Sequence, residues 1–261
     1  MSTQGSSIGA EMVVAAHALS RLGLVTAFGH VSARVPGGIL ITPAADLRDV
    51  TVADLIPITF TRADQPGAGR VPVAPARAAA DPALARGHHG ARGQEEALGL
   101  PPELPKGAPA EAWGHLQIYA VRPDVTAIAR AQPPSAFAVA SLVSELPILH
   151  GQAAWLGPAV PVHADARLLR SAELARAAAR TLTEAGAEAH ALLLRGNGAL
   201  TCGPTPGEAV ARMWLLATAC SVWLAASASG QPRPLDAAER SYWRGVQREL
   251  LPRLWQHLRS G

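Results

Sequence analysis

Residues 124–142, DVTAIARAQPPSAFAVASL, decide how the chain is read. A short run with strand character, Thr126 to Ala129, leads into Arg130, Ala131 and Gln132. Pro133-Pro134 closes the run, because a proline cannot extend a hydrogen-bonded ladder and pushes the residue before it out of the helical region. A helical pattern follows at once and extends over 134–145. The stretch reads as a strand that delivers Arg130 and Gln132 to the start of a helix.

Upstream, Ser6 or Ser7 is expected to cap a first helix running to about Leu22, with Val13, Val14, His17, Ala18 and Leu22 inward. VTAFGHVSARV and GGILITP form two strands joined through Pro36-Gly37-Gly38, a hairpin signal. Thr51 starts a short helix, and a strand follows near Ile58–Phe60. Residues 63–108 are rich in Pro, Gly, Ala and Arg and read as a long irregular insertion or a lid. Pro109 suits the first turn of a helix through PAEAWGHLQIYAV.

Downstream, PILHGQAAWLGPAVPVH reads as extended. Ser171 caps a helix over 171–185, and HALLLRGNGALTCG forms two strands around a Gly-Asn-Gly turn. Thr205-Pro206-Gly207-Glu208 opens a helix over 206–229 in capping-box fashion. A last helix covers about 236–259, and its internal Pro252 should kink it. No internal repeat is visible. Strands and helices alternate irregularly, which predicts a layered α/β domain with a mixed, mostly antiparallel sheet.

Composition narrows the function classes. The 261 residues are 49% hydrophobic and 16% charged, enough for a sizeable core and too apolar for wholesale disorder. The net charge is +3, but Lys106 is the sole lysine and no arginine cluster is interleaved with aromatics, so a nucleic-acid surface is not expected. Cys202 and Cys220 show no ligand spacing and read as buried small hydrophobes in a reducing compartment. The N-terminal segment lacks a basic region ahead of its apolar part, and MWLLATACSVWLAASA is too short and too Ser/Thr-rich for a confident membrane span. A cytoplasmic protein without membrane partners is expected.

Four pieces in order, GLVTAFGHVSAR…GGILITPAADLRDVTVADLIPI, PAEAWGHLQIYAVRPDVTAIARAQPPSAFAVASL, PVHADARLLRSAELARAAARTL and ALLLRGNGALTCGPTPGEAVARMWLLATAC, together resemble the class II aldolase/adducin family. The resemblance spans most of the chain apart from 63–108 and the C-terminal helix. It implies one class II aldolase-like domain over 1–261, a three-layer fold with a central, mostly antiparallel mixed sheet flanked by helices. It also implies homo-oligomers, tetramers in particular, with active sites between subunits. Its members include aldolases, an epimerase, a dehydratase, decarboxylases and the non-enzymatic adducin head.

In the family, a divalent metal is held by two histidines of an H-x-H strand and a third in an N-H-G turn. Arg130, Gln132 and Asn197 occupy those positions here. A guanidinium has no lone pair to donate, so no metal and no other cofactor is expected at that place. His88-His89, His150 and His163 offer no convincing substitute set. Glu111 matches the family's catalytic acid/base, although a carboxylate at a helix start also interacts favourably with the helix dipole. His115, four residues on, shares its helical face.

Arg130 could stabilise an enolate or carboxylate in place of a metal, with Gln132 and Asn197 donating N–H groups to the same oxygen. The competing reading is a drifted site in which Arg130 simply pairs with Glu111. His30, Ser32 and Thr42 fall where the family's aldolases place substrate. His30 replaces an Asn of the phosphate loop, Ala44-Ala45 replaces a hydroxyl-Gly pair, and Pro109-Ala110 replaces Ser-Ser, so a substrate without phosphate fits better. Lys106 is the lone Schiff-base candidate and stands in a Pro/Gly-rich loop.

The sequence therefore predicts a metal-independent lyase acting by aldol-type cleavage, or by decarboxylation, on a small anionic carbonyl or aromatic acid. Glu111, Arg130 and His115 would do the chemistry, and Gln132, Asn197, His30, Ser32 and Thr42 would hold the substrate. The alternatives are a non-catalytic oligomeric module or an isomerase or cyclase using the same pocket.

Overall fold

The computed structural model describes residues 3–25, 27–61 and 99–260. In chain order the elements are α1 (Thr3–Arg21), β1 (His30–Val35), β2 (Gly38–Ile41), β3 (Ile56–Thr59), α2 (Ala112–Val121), β4 (Ala127–Ala131), α3 (Pro134–Leu142), β5 (Glu145–Leu146), β6 (Val160–His163), α4 (Ala172–Glu184), β7 (Ala191–Leu194), β8 (Gly198–Gly203), α5 (Pro206–Ser229), α6 (Ala237–Gly245) and α7 (Gln247–Ser260). Short 3-10 helices cover Val52–Asp54 and Gly151–Leu156. The part of the expected insertion at 63–98, His88 and His89 included, lies outside the described residues.

The strands form one eight-stranded sheet in the order β3-β2-β1-β4-β8-β7-β6-β5, parallel at β6–β7 and antiparallel elsewhere. Successive side chains of a strand face opposite sides. β4 shows what this does: Ala127, Ala129 and Ala131 join one core cluster with residues of α1, α3, α5 and α7, while Ile128 joins the other with residues of α2 and α4. Ala191 and Leu193 of β7 likewise separate from Leu192 and Leu194. The result is an α/β fold with two helical layers around a mixed sheet, as expected. The alanine face of β4 lets α5 lie close to the sheet, and Arg130 belongs to the opposite face, toward α2 and α4.

α5 begins at the expected residues, with the Thr205 hydroxyl accepting the Glu208 N–H at 3.1 Å and Pro206 in the first turn, but the expected capping box is only half formed, since the Glu208 carboxylate does not accept the Thr205 N–H. At Gly207 a Cβ would sit 2.2 Å from Nε1 of Trp255, so α7 can dock on α5 only with a glycine there. Among the described helices, α5 alone is long and apolar enough to cross a membrane, and half of its most apolar window is buried within the protein.

Several local expectations need correction. α1 starts at Thr3, which places Ser6 and Ser7 inside the helix instead of at its cap. Its buried stripe is Met12, Ala15, Ala16, Ala18 and Leu19, whereas Val14 is 42% exposed and His17 is exposed, with Nε2 on the Val50 carbonyl. Small alanines set that face because they permit close approach to α5. α2 starts at Ala112, after a turn in which the Pro109 carbonyl accepts the Ala112 N–H. α3 ends at Leu142, because Glu145 and Leu146 leave to pair with Pro161 and Val160. The stretch read as extended contains the 3-10 turn 151–156, which buries Trp155 and lets its indole N–H donate to the Trp243 carbonyl. The C-terminal helix is two helices broken at Val246, and Pro252 lies within the second. The break lets α6 pack on the 3-10 turn while α7 packs on α5.

Candidate active site

The sheet brings the expected site residues together from separated segments. β1 and β4 pair with His30 opposite Arg130, so both side chains project from the same face. Arg130 is also opposite Leu200 of β8, and Asn197 occupies the tight turn joining β7 to β8. That turn depends on Gly198, where φ is +87° and an added Cβ would lie 2.3 Å from the Ala131 carbonyl oxygen. Glu111 immediately precedes α2 in the N-cap position, yet its side chain makes no capping hydrogen bond. The helix start therefore does not use the carboxylate.

These residues line a cavity of about 420 Å³, with His30, Glu111, Arg130, Gln132 and Asn197 all on its wall. Arg170, from the segment before α4, adds a second guanidinium, and Phe28 and Leu168 form an exposed apolar rim. Three expected residues do not line it. His115 is fully buried and shares a 2.7 Å hydrogen bond between Nδ1 and Ser32 Oγ, which in turn lies 2.9 Å from Tyr119 OH. Thr42 is also buried, and its hydroxyl accepts the Val31 N–H at 3.1 Å. Ser32, Thr42 and His115 thus brace the strands behind the cavity. Lys106 is exposed in a turn and is not on the cavity wall.

Arg130 is 2% exposed and has no ion pair among the described residues, so the pairing with Glu111 considered from the sequence is not formed. One Nη donates to Asn197 Oδ1 at 2.6 Å and to the Asn197 carbonyl at 3.3 Å, and the other donates to the Phe28 carbonyl at 3.3 Å. Four buried polar atoms nearby have no partner among the described residues: Arg130 Nε, Asn197 Nδ2, His30 Nδ1 and His115 Nε2. Buried donors and acceptors are rarely left unmade, which marks this region as built to meet something else.

Charge follows from the same geometry. Burial, followed by the Arg130 charge and His115, pushes the His30 imidazole well below its ordinary range. Burial and then Arg130 bring His115 down to about 3. Both rings are neutral near pH 7. Burial also disfavours the guanidinium of Arg130, and the Glu111 carboxylate acts against that effect. The site thus holds the Arg130 guanidinium, whose Nε–H is unpartnered among the described residues as is the Asn197 Nδ2–H beside it, with the Arg170 guanidinium and the Glu111 carboxylate also on the wall.

That donor set does not suit a divalent metal. Arg130 offers only N–H groups, and Asn197 Oδ1 is already taken up by Arg130. No group of three or more His, Cys, Asp or Glu among the described residues is arranged to hold an ion. The set does suit an oxyanion, toward which charged and neutral N–H donors can be aimed together.

Two residues of this region went unread in the sequence. Tyr119 stands one turn beyond His115, and that spacing could have linked them. Arg170 had no distinguishing signal in an arginine-rich chain.

Comparison with known proteins agrees with this architecture. The profile of the Class II Aldolase and Adducin N-terminal domain matches residues 10–224. No curated protein sequence matches. Among solved structures, an L-fuculose-1-phosphate aldolase from Thermus thermophilus is 25% identical, with a TM-score of 0.59 over 84% of this chain and 94% of that one. An aldolase II superfamily protein from Pseudomonas syringae reaches a TM-score of 0.68 at 18% identity, covering 99% of this chain and 92% of its own. YgbL from Escherichia coli, described as a candidate aldolase, epimerase or decarboxylase, gives 0.64 at 19% identity over 93% of this chain and all (100%) of its own.

Proposed function

The chain belongs to the class II aldolase and adducin family, and from that premise we propose that it is a metal-independent lyase for a small anionic carbonyl or aromatic acid. The observation that carries the reading is the buried guanidinium of Arg130 beside Asn197, both lining the cavity, with the Arg130 Nε–H and the Asn197 Nδ2–H unpartnered among the described residues. A carboxylate or developing enolate oxygen placed there meets one full positive charge and two directed donors. Such preorganised donors act strongly where water is excluded. Gln132 adds a polar contact on the same wall.

Glu111 moves the proton, because it is the acidic side chain on the cavity wall and is not committed to capping α2. His30 faces the cavity as a neutral imidazole, so its part is to donate or accept a hydrogen bond, not to supply a second cation. His115 acts through position, holding Ser32 and the α2 face in register with β1. Carbon–carbon cleavage and decarboxylation share one demand, an electron pair delocalised onto an oxygen next to the breaking bond. Arg130 answers that demand in either reaction. A cytoplasmic homo-oligomer is part of the same proposal.

Two measurements test the reading. Elemental analysis of protein purified without chelator should find no stoichiometric transition metal, and turnover of a responsive 2-oxo or aromatic acid should survive chelator. Loss of activity on metal removal, restored by adding the metal, would overturn the proposal. Binding of anionic carbonyl compounds with no turnover in any of them would instead favour the non-catalytic module.

A further inference from the structure

Behind Arg170 lies a second cavity, of about 370 Å³, with Gln117 of α2, Arg176 of α4 and the α4 start at Ser171 on its wall. Gln117 is fully buried, and neither end of its amide has a partner among the described residues. Burying a primary amide with both its donor and its acceptor unmet is unfavourable, so the position implies a group that supplies both. Arg176 is half-buried and its Nε is likewise buried and unpartnered. Neither Arg170 nor Arg176 forms an ion pair among the described residues.

The backbone adds a third element. α4 is 13 residues long, and Ser171 Oγ accepts the Leu174 N–H, which leaves the first N–H groups of the helix to face outward. The start of a helix of that length attracts negative charge. Glu173, exposed in the same turn, is not on the cavity wall. Arg170, Arg176, the N-terminus of α4 and Gln117 all line one space that no side chain among the described residues fills.

We propose that this second cavity is an oxyanion subsite, sized for a phosphate or carboxylate group, with Arg176 and the α4 N-terminus taking the charge and Gln117 bonding both an oxygen and a hydroxyl of the ligand. A hydrogen phosphate carries both kinds of group. Arg170 lines both cavities, so an anion here can be the distal end of a substrate whose reacting end lies on Arg130. That connection rests on the proposed lyase reaction; the subsite itself does not.

The test is calorimetric titration of the full chain with inorganic phosphate. The wild type should bind one phosphate. Arg176→Gln and Gln117→Leu should each weaken it about tenfold or more, the scale of losing a hydrogen bond to a charged group. Gln117→Leu removes a buried unmet amide, so a melting temperature at or above that of wild type shows that its loss of binding is not unfolding. Absence of phosphate binding by the wild type would overturn the subsite. So would binding that is lost in Arg130→Ala and kept in Arg176→Gln and Gln117→Leu, a result that would place the anion in the first cavity and leave the lyase reading standing. Failure of the lyase reaction, in turn, would not alter the phosphate result.

Discussion

Replacing Arg130 with methionine separates a functional arginine from a structural one. The side chain is almost wholly buried with no carboxylate paired to it among the described residues, and taking a charge out of water costs several kcal/mol in a protein interior. In return the fold gains one short bond, 2.6 Å to Asn197 Oδ1, and two long ones at 3.3 Å to the Asn197 and Phe28 carbonyls. The short bond contributes about 1.5–3 kcal/mol, as bonds to charged groups do. Methionine orphans Asn197 Oδ1 but removes the buried charge, and the two effects nearly offset. The expected change in unfolding free energy is within about 1 kcal/mol, a shift of about 2–4 °C in melting temperature. Affinity for anionic ligands should fall about 10- to 150-fold, the equivalent of that same 1.5–3 kcal/mol. The His30 imidazole should also titrate at higher pH, because the Arg130 charge is the second cause of its depression. Urea unfolding, calorimetry with 2-oxo acids and histidine proton titration by NMR measure the three. A loss of 3 kcal/mol or more with unchanged anion affinity would show that Arg130 merely clasps the β7–β8 turn.

Three further outcomes follow. His115 is held down to about 3 against an ordinary 6.5, so the unfolded chain takes up a proton that the folded chain refuses. Stability should be full above about pH 6.5 and decline toward pH 3, by up to about 1.4 kcal/mol per pH unit for this residue; a flat urea midpoint between pH 6.5 and 4.5 would contradict the buried neutral ring. Cys202 and Cys220 are both buried and both pushed by burial up to about 12. An aromatic disulfide reagent at pH 8 should find neither until denaturant is added, and a fast native-state thiol would refute their placement. Gly198→Ala should destabilise by at least about 2 kcal/mol, from strain at positive φ together with overlap on Ala131, and it should weaken anion binding through Asn197; a thermal melt like that of the wild type would mean the turn is looser than described.

The fold was readable where sequence acts locally. Thr205-Pro206 and Ser171 announce α5 and α4 because caps are short-range devices, and the Gly-Asn-Gly turn marks β7–β8 because glycines permit the positive φ values there. The errors came where packing decides. Val14 fits an apolar helix face by pattern, but the sheet and α5 select the alanine stripe beside it. Pro252 signals a kink in one continuous helix, yet the helix breaks instead at Val246 because α6 and α7 dock on different partners. In the site, Arg130, Gln132 and Asn197 line one cavity. Spacing does not reveal depth, so it gave no sign that Ser32, Thr42 and His115 form a hydrogen-bonded brace behind that wall.

The electrostatic consequence of an arginine at this strand position reaches beyond ligand loss. A bound metal is a cation surrounded by neutral rings and can be exchanged; a guanidinium on β4 is a cation fixed in the chain. Burial first, and the Arg130 charge second, hold the adjacent His30 and His115 rings neutral near pH 7. In the proposed reaction neither ring then supplies a second cation near neutral pH, and Glu111 is the carboxylate on the cavity wall assigned to move the proton. With Arg130 and Arg170 set against that one carboxylate, the ionised side chains on the cavity wall leave an excess of one positive charge. Under the proposed lyase reaction that balance favours a monoanion, and a 2-oxo or aromatic carboxylate would supply that charge together with the carbonyl or ring needed to receive the electron pair. If the tightest ligands prove to be cationic or neutral, this charge logic, and with it the assignment of roles, is wrong.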